Sequence, residues 1–414
     1  MSTPHIHHQA DMNTVFLSHT DIRTDSRILK EMESIKKRFQ AWNVSGIGLA
    51  PNTLDNGVQK NSEMHIDAIL LRTRRWWLVP GIIRRMIIYI EMVLRMMSFL
   101  RRSKPDILHC SDTIVLPVAV IGKLLSGAKL IYDAHELESD RNGLTKLQGR
   151  VILFLEKTLW RFVDALIVVS PSIGSWYSEN VGPKLQETIL NAPILSESDS
   201  SDSNYLRSTF GVPSDCLIFI YVGLFVPGRG IGELLAAIKK SSLRSHFVFL
   251  GYGSLQDEIE TAAREKLNIH IHPRVRHDEV VKVIRGADAG ICLIENVSLS
   301  DYYSLPNKLF EYAFAGVPVI ASRFPEIERT VREYSLGVCT DSDSNSIAKV
   351  LDGIERKGTL PKPDALRIQD LSWSAQEEKL VELYGSLIGS RSHDVGDGSE
   401  KYTLRDEARQ RQDH

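Results

Sequence analysis

Residues 304–322, SLPNKLFEYAFAGVPVIAS, hold a helix start, a helix stop and a strand in one short run. Pro306 can open a helix, because its fixed φ suits the first turn and its missing N–H has no partner there anyway. Gly316 can close that helix, since it takes the left-handed conformation other residues avoid. Val317, Val319, Ile320 and Ala321 then make a short apolar strand. A helix feeding directly into a buried strand is half of an α/β unit, and the same alternation repeats on both sides of it.

Working outward, strands are expected at 217–222, 246–250, 269–272, 289–294, 317–321 and 338–340. Helices are expected between them at 232–240, 255–267, 278–285 and 306–314. The pattern also fills residues 13–190, with strands at 14–18, 44–50, 66–71, 106–110, 129–133, 164–170 and 188–190. A helix at 25–39 sets Ile28, Met32, Ile35 and Phe39 near one face. Strands separated by helices of this length need crossover connections, which means parallel sheets with helices on both faces. Between the halves lies SESDSSDS (196–203), five serines and three acids with nothing to bury. The expected organisation is a flexible tail (1–12), a first Rossmann-like domain (13–195) and a linker (196–204). A second Rossmann-like domain (205–372), a helix (373–388) and a disordered tail (389–414) follow. Two doubly wound parallel sheets joined by a short linker face each other across a cleft, and ligands bind at the carboxyl ends of such strands.

Composition agrees with an ordinary enzyme-sized protein. The chain has 414 residues, 43% apolar and 25% charged, with a net charge of −2. That balance excludes a nucleic-acid footprint over the whole surface. Its 4 cysteines show no close pair and no zinc spacing, which fits a reducing cytosol and predicts no structural zinc. The N-terminus MSTPHIHHQADMNT lacks an apolar signal core, and His5, His7 and His8 read as a solvated tail.

The chemistry gathers in two places. Gly228-Arg229-Gly230 follows a strand and opens a helix, so its backbone N–H groups and the Arg229 charge suit a phosphate. Such turns are common, and this one is not a Walker A loop. Lys308 sits in a first helical turn, where the helix dipole disfavours a cation unless an anion lies near. Glu311, one turn on, can accept two ribose hydroxyls. A phosphate cation beside a ribose acceptor points to a nucleoside diphosphate. In the first half, His109 and Asp112 end the strand in DILHCSD, and His135 and Glu136 end the next in LIYDAHELES. They either cap helices and pair with each other, or stand on the cleft wall, with Asp112 or Glu136 orienting the acceptor hydroxyl or taking its proton.

SLPNKLFEYAFAGVPVIAS is similar to the signature of glycosyltransferase family 4, retaining sugar transferases of the GT-B fold. The resemblance extends to YVGLFVPGRGIGELLAAI, ADAGICLI, VDALIVVSPSI with ILNAPI, and LSWSAQEEKLVELYGSLI, and so covers most of residues 13–388. It implies that Glu311 binds the ribose, that Arg229 and Lys308 grip the diphosphate, and that His135 lies near the transferred sugar. It also implies a last helix that crosses back to the first domain. The chain departs from the pattern at three places. Tyr303 stands where the first motif glutamate belongs and Leu224 where an arginine is common. The usual glycine-rich first turn is replaced by residues 19–27, HTDIRTDSR.

The candidate nucleotide-sugar set is Gly228, Arg229, Gly230, Ser304, Asn307, Lys308 and Glu311. His135, Glu136 and Asp112 are the catalytic candidates, and His109 and Arg27 are assigned to the acceptor side or cleft wall. No metal or cofactor is expected beyond a UDP, GDP or ADP sugar as donor. Residues 72–104 carry nine Lys or Arg against one Glu. Their charge-free runs are too short to span a bilayer. The stretch is either a mostly buried helix with snorkelling arginines, or an anchor on anionic lipid through Arg74, Arg75, Trp76, Trp77, Arg101 and Arg102. The resulting expectation is a cytoplasmic glycosyltransferase at the inner face of the plasma membrane. It would act on a lipid-linked or surface-polysaccharide acceptor such as exopolysaccharide, capsule or O-antigen. The alternatives are a nucleotide-sugar 2-epimerase and a non-catalytic nucleotide- or membrane-binding subunit.

Overall fold

The helix inside the 304–322 stretch spans Asn307–Ala315, capped by Pro306 and ended by Gly316 at φ +70°. Strand Val319–Ser322 follows, wholly buried. The computed structural model describes residues 11–51, 64–76, 80–194, 203–276 and 279–389. The first half runs β1 (Asn13–Leu17), α1 (Ser26–Arg38), β2 (Asn43–Leu49), β3 (His65–Ile69), α2 (Gly81–Ser103) and β4 (Ile107–Ser111). It continues through α3 (Leu116–Ser126), β5 (Lys129–Ala134), α4 (Lys146–Leu159), β6 (Ala165–Val168), α5 (Pro171–Asn180) and β7 (Leu185–Thr188). The second runs α6 (Tyr205–Phe210), β8 (Ile218–Leu224), α7 (Ile231–Lys240), β9 (His246–Tyr252), α8 (Gln256–Glu265), β10 (Ile269–His272), α9 (Val280–Ile284) and β11 (Ala289–Cys292). Then come α10 (Leu299–Tyr302), α11 (Asn307–Ala315), β12 (Val319–Ser322), α12 (Pro325–Glu333), β13 (Gly337–Thr340), α13 (Ser344–Lys357) and α14 (Trp373–Gly389).

The strands form a 7-stranded sheet, ordered β3-β2-β1-β4-β5-β6-β7, and a 6-stranded sheet, ordered β10-β9-β8-β11-β12-β13. Every described pairing is parallel. Both faces of each sheet are therefore covered, which is why β1 and β8 read as near-continuous apolar runs. In each sheet the strand order reverses once, between β1 and β4 and between β8 and β11. Such a reversal opens a crevice beyond the strands' carboxyl ends.

Local signals set the helix ends. Asp25 caps α1 by accepting from the N–H groups of Arg27 and Ile28. Thr145 and Gln148 form a capping box on α4. Asp343, in the Asp-Ser-Asp run, caps α13. Helix α14 crosses back: Trp373, Leu380, Leu383, Tyr384 and Leu387 share one core with Ile28, Met32 and Ile35 of α1. Two expectations shift. β7 lies at Leu185–Thr188, because it is a polar edge strand without an apolar run, while Ile189 and Leu190 are the buried residues after it. Only half of α2 is core. Met92, Met96, Met97, Phe99 and Leu100 are buried, whereas Ile82, Ile83, Met86, Ile90 and Leu94 are each more than half exposed. The expected terminal tails and linker fall almost wholly outside the described residues. No helix among the described residues is long and apolar enough to cross a membrane.

Candidate active site

A cavity of about 960 Å³ lies between the two sheets. Arg27, His135, Glu136, Asn142 and Asn191 line it from the first domain, and Arg229, Asp301, Ser304, Asn307, Lys308 and Glu311 from the second. Gly223 and Gly251 pair at the ends of β8 and β9. A Cβ on Gly251 would stand 1.8 Å from the Gly223 carbonyl oxygen, so this floor stays flat. Tyr252 and Arg274 also line this region, with the guanidinium 3.7 Å from the ring centroid.

The second-domain wall carries cations. Arg229 follows β8 and sits 3.4 Å from the Asp301 carboxylate. Lys308 Nζ lies 4.2 Å from the Tyr221 ring centroid. Burial, and then the like charge of Arg229, lower the Lys308 ammonium to about 8. Glu311 is 9% exposed, one turn behind Lys308. Gly228 and Gly230 flank Arg229 without themselves lining the cavity. They shape the turn at φ +86° and +68°, and the Gly230 N–H donates to Glu295 at 3.1 Å. A Cβ at Gly230 would strike Leu293 at 2.5 Å, so close packing explains that glycine.

The first-domain wall rests on buried charge. His135 Nε2 donates to Asp133 at 2.9 Å, and its Nδ1 lies 3.7 Å from Asp112. Burial alone would lower this imidazole, but Asp133 and then Asp112 outweigh it and raise it to about 9. Asp133 in turn meets the Arg27 guanidinium at 3.0 Å, and Arg27 reaches Glu31 at 3.1 Å. Burial would raise the Asp133 carboxyl, yet Arg27 and His135 hold it well below its ordinary value. Burial and then Asp133 push Glu31 upward. Asp112 stands behind His135 rather than on the wall. Its φ of +76° is strained for a non-glycine residue, and His19 Nδ1 lies 2.9 Å away. Glu136 lines the cavity, where desolvation raises its carboxyl against the pull of Arg141 and Arg229.

His109 is also corrected. It is fully buried, stacked on Phe16, and shares a 2.9 Å hydrogen bond with the Tyr384 hydroxyl of α14. The strand turns this side chain toward α1 and α14, away from the cavity. Glu31, His109 and Asp133 could hold a metal by ligand type, but Arg27 already supplies the positive charge between the two carboxylates. Asp133 and Glu31 were not singled out from sequence. Asp133 was findable, because alternate residues of a strand share a face and it stands two before His135. Glu31 carried no signal beyond its helix.

The basic stretch lies apart from the cavity. Residues Arg72–Arg75 form a 3-10 turn tied to α2 by Glu91, which accepts from the Arg72 and Thr73 N–H groups and from Arg95. Burial works against that carboxylate, but the Thr73 bonds bring it to about 2. Arg75, Trp76, Arg101 and Arg102 are exposed. Arg74 donates to the Ala50 carbonyl at 2.9 Å, and Trp77 lies outside the described residues.

Comparison with known proteins agrees with this geometry. A family model described as a glycosyl transferase 4-like domain matches residues 53–191, and one described as glycosyl transferases group 1 matches 217–355. The chain belongs to the GT-B glycosyltransferases. The chain is 23% identical over 291 residues to chitobiosyldiphosphodolichol beta-mannosyltransferase of Candida albicans, covering 64% of this chain and 62% of that protein. The same-named protein of Kluyveromyces lactis is 24% identical over 258 residues, covering 53% and 56%. The glycosyltransferase thus spans less than two thirds of the length of these curated relatives. Sucrose-phosphate synthase from Thermosynechococcus elongatus has the same fold, with a TM-score of 0.73 and 18% identity over 92% of this chain and all of that one. So does Anabaena HepE in complex with UDP-glucose, at 0.69 and 15%, covering 91% of this chain and all of that one.

Proposed function

We propose that the glycosyltransferase moves a sugar from a nucleoside-diphosphate sugar to an acceptor hydroxyl on a lipid-linked or surface-polysaccharide intermediate. The carrying observation is one cavity shared by both domains. It sets Arg229, Lys308 and Glu311 opposite His135 and Glu136. The cations and the flat Gly223–Gly251 floor suit a nucleotide on the second domain, and HepE was solved with UDP-glucose. Two side-chain cations meet the diphosphate, so the reading needs no metal.

The reaction breaks the bond between the sugar's anomeric carbon and the diphosphate oxygen, and forms one to the acceptor oxygen. Arg229 and Lys308 stabilise the leaving diphosphate. His135, an imidazolium at neutral pH, donates a hydrogen bond and does not take the acceptor's proton. That proton passes to the leaving diphosphate on the same face, which gives retention. The acceptor class follows from the first domain. Exposed Ile82, Ile83, Met86, Ile90 and Leu94 of α2, Leu124 and Leu125 of α3, and Leu147, Val151 and Phe154 of α4 form an apolar face. Arg75, Arg85, Arg101, Arg102, Lys146 and Arg150 are exposed beside them. Such a face with basic flanks suits an anionic bilayer, here the cytoplasmic leaflet. The name of the mannosyltransferase relatives also specifies a diphosphodolichol-linked sugar.

The test is a thermal-shift screen with UDP, GDP, ADP and their sugars, on the parent and on Arg229→Ala. One diphosphate should raise the parent's Tm and leave the variant's unchanged, because only ligands of the folded state stabilise it. Equal shifts in both, or none in the parent, would remove the nucleotide from this cavity. Turnover with the selected donor should survive chelation, and NMR of the product should show the donor's anomeric configuration. An inverted product would overturn retention.

A further inference from the structure

The turn from Ser298 to Ser304, between β11 and α11, touches both walls of the cleft. Toward the second domain, the Asp301 carboxylate lies 3.4 Å from Arg229 and accepts from Ser298 Oγ at 2.7 Å. Toward the first, the Ser300 N–H donates to the Asp140 carbonyl at 3.0 Å, and Ser300 Oγ accepts from the Leu137 N–H at 3.1 Å. Ser170 Oγ donates to the Tyr303 carbonyl at 2.6 Å, and the side chains of Leu299 and Tyr303 pack on the first domain's core. Leu137 is two residues beyond His135. Asp301 is 7% exposed, and it lines the cavity together with Glu136 and Asn142.

We propose that Asp301 reads the donor sugar: it holds Arg229 while the site is empty and, once a diphosphate takes that guanidinium, accepts hydrogen bonds from hydroxyls of the transferred sugar. The inference rests on the nucleotide-sugar reading of the cavity. When Arg229 turns to a diphosphate, Ser298 still serves one Asp301 oxygen, but the other loses its donor and must find a new one, because an unsatisfied oxygen on a nearly buried carboxylate is costly. Asp301 touches Arg229 and lines the same cavity as His135 and Glu136, so a sugar carried in on a diphosphate held by Arg229 comes within its reach. Sugar hydroxyls are the donors that arrive with the same ligand. Tyr303 then has a positive role at the position where the related pattern has a glutamate. Packed against the first domain's core, it is a positioning residue that keeps Asp301 in register with the His135 loop.

The two ligands separate the two halves of the proposal. Calorimetry would compare the free nucleoside diphosphate selected by the thermal screen with its nucleotide sugar. The parent should bind the nucleotide sugar more tightly than the bare diphosphate. Asp301→Asn should bind the diphosphate as tightly as the parent or several-fold tighter, because Arg229 is released. It should bind the nucleotide sugar about tenfold or more weakly, the scale for a hydrogen bond to a charged group. Tyr303→Ala should lose sugar discrimination in the same direction, and Tyr303→Phe should keep it. Asp301→Ser is the second variant if the asparagine form does not fold. Parallel losses for both ligands in a folded Asp301 variant, or no change for either, would overturn the proposal. If the parent bound neither ligand, the nucleotide-sugar reading would fail first and take this one with it. That outcome is distinct from a parent that binds both and a variant that discriminates as the parent does.

Discussion

The two domains share an architecture and place their charge and apolar surface in opposite ways. The first buries Glu31, His109 and Asp133 beneath its half of the cleft, with Arg27 at the cavity surface of that network, and leaves large apolar side chains exposed along α2, α3 and α4. The second sets Arg229 and Lys308 at the cavity wall, and two of its exposed large apolar side chains, Leu224 and Tyr252, line that cavity. A buried ion network is costly to disturb but holds its members in one geometry. Cations at an open wall remain available to a ligand. The first domain is thus built to hold a reacting group still and to rest on another surface, and the second to grip a charged molecule that comes and goes.

Breaking the buried network should have the largest effect. Asp133→Asn leaves Arg27 and His135 without their shared carboxylate, and removing one partner of a buried pair costs about 3–5 kcal/mol. Urea unfolding should register that loss. Arg229→Met, at the other wall, should cost less, about 1–3 kcal/mol, because it takes one long contact from a nearly buried Asp301 that keeps Ser298, while abolishing nucleotide binding. Similar stabilities for the two variants would erase the contrast between the walls.

The outer face comes next. Replacing Arg74, Arg75, Arg101 and Arg102 with glutamine should weaken binding to anionic vesicles by about a hundredfold, at roughly 1 kcal/mol for each basic group at the lipid surface. Arg74 is already engaged with Ala50, so the effect should fall short of four full charges. Co-sedimentation measures it, and equal pelleting of variant and parent would refute a lipid-facing first domain.

The smallest effect is a pH dependence of ligand affinity at the second wall. The folded Lys308 ammonium is depressed to about 8, so the unliganded protein loses this charge as pH rises through that value. Diphosphate affinity should drop by up to about tenfold for each pH unit above 8, the limit for one proton. Lys308→Arg should flatten that window. His135 has the opposite sign. Its imidazole is raised to about 9, so its contribution to stability is full below about 6.5 and is lost as pH rises through 9.

Much of this was legible in the residues. Pro306 and Gly316 bracket α11 as their backbone preferences require, and the apolar runs mark the strands, because a sheet covered on both faces admits little else. Lys308 and Glu311 could be paired from sequence, since one helical turn separates them. His135 could be chosen because a titratable side chain at a strand's carboxyl end faces the crevice. His109 obeys the same local rule and was assigned to the wall. Its ring points at Tyr384, 275 residues away, and nothing nearby in the chain could reveal that.

The order of residues along the chain determined the alternation of strands and helices, the two-domain layout and the cations of the second wall. These depend on periodicity, turn chemistry and contacts a few positions long. Tertiary structure alone decided that Arg27 meets Asp133 across 106 positions, that Glu295 takes the Gly230 amide, and that half of α2 stays uncovered. It also set Asp301 against Arg229. Burial and long-range pairing are properties of the packed assembly, and they determine which charged side chains are held and which stay free to act.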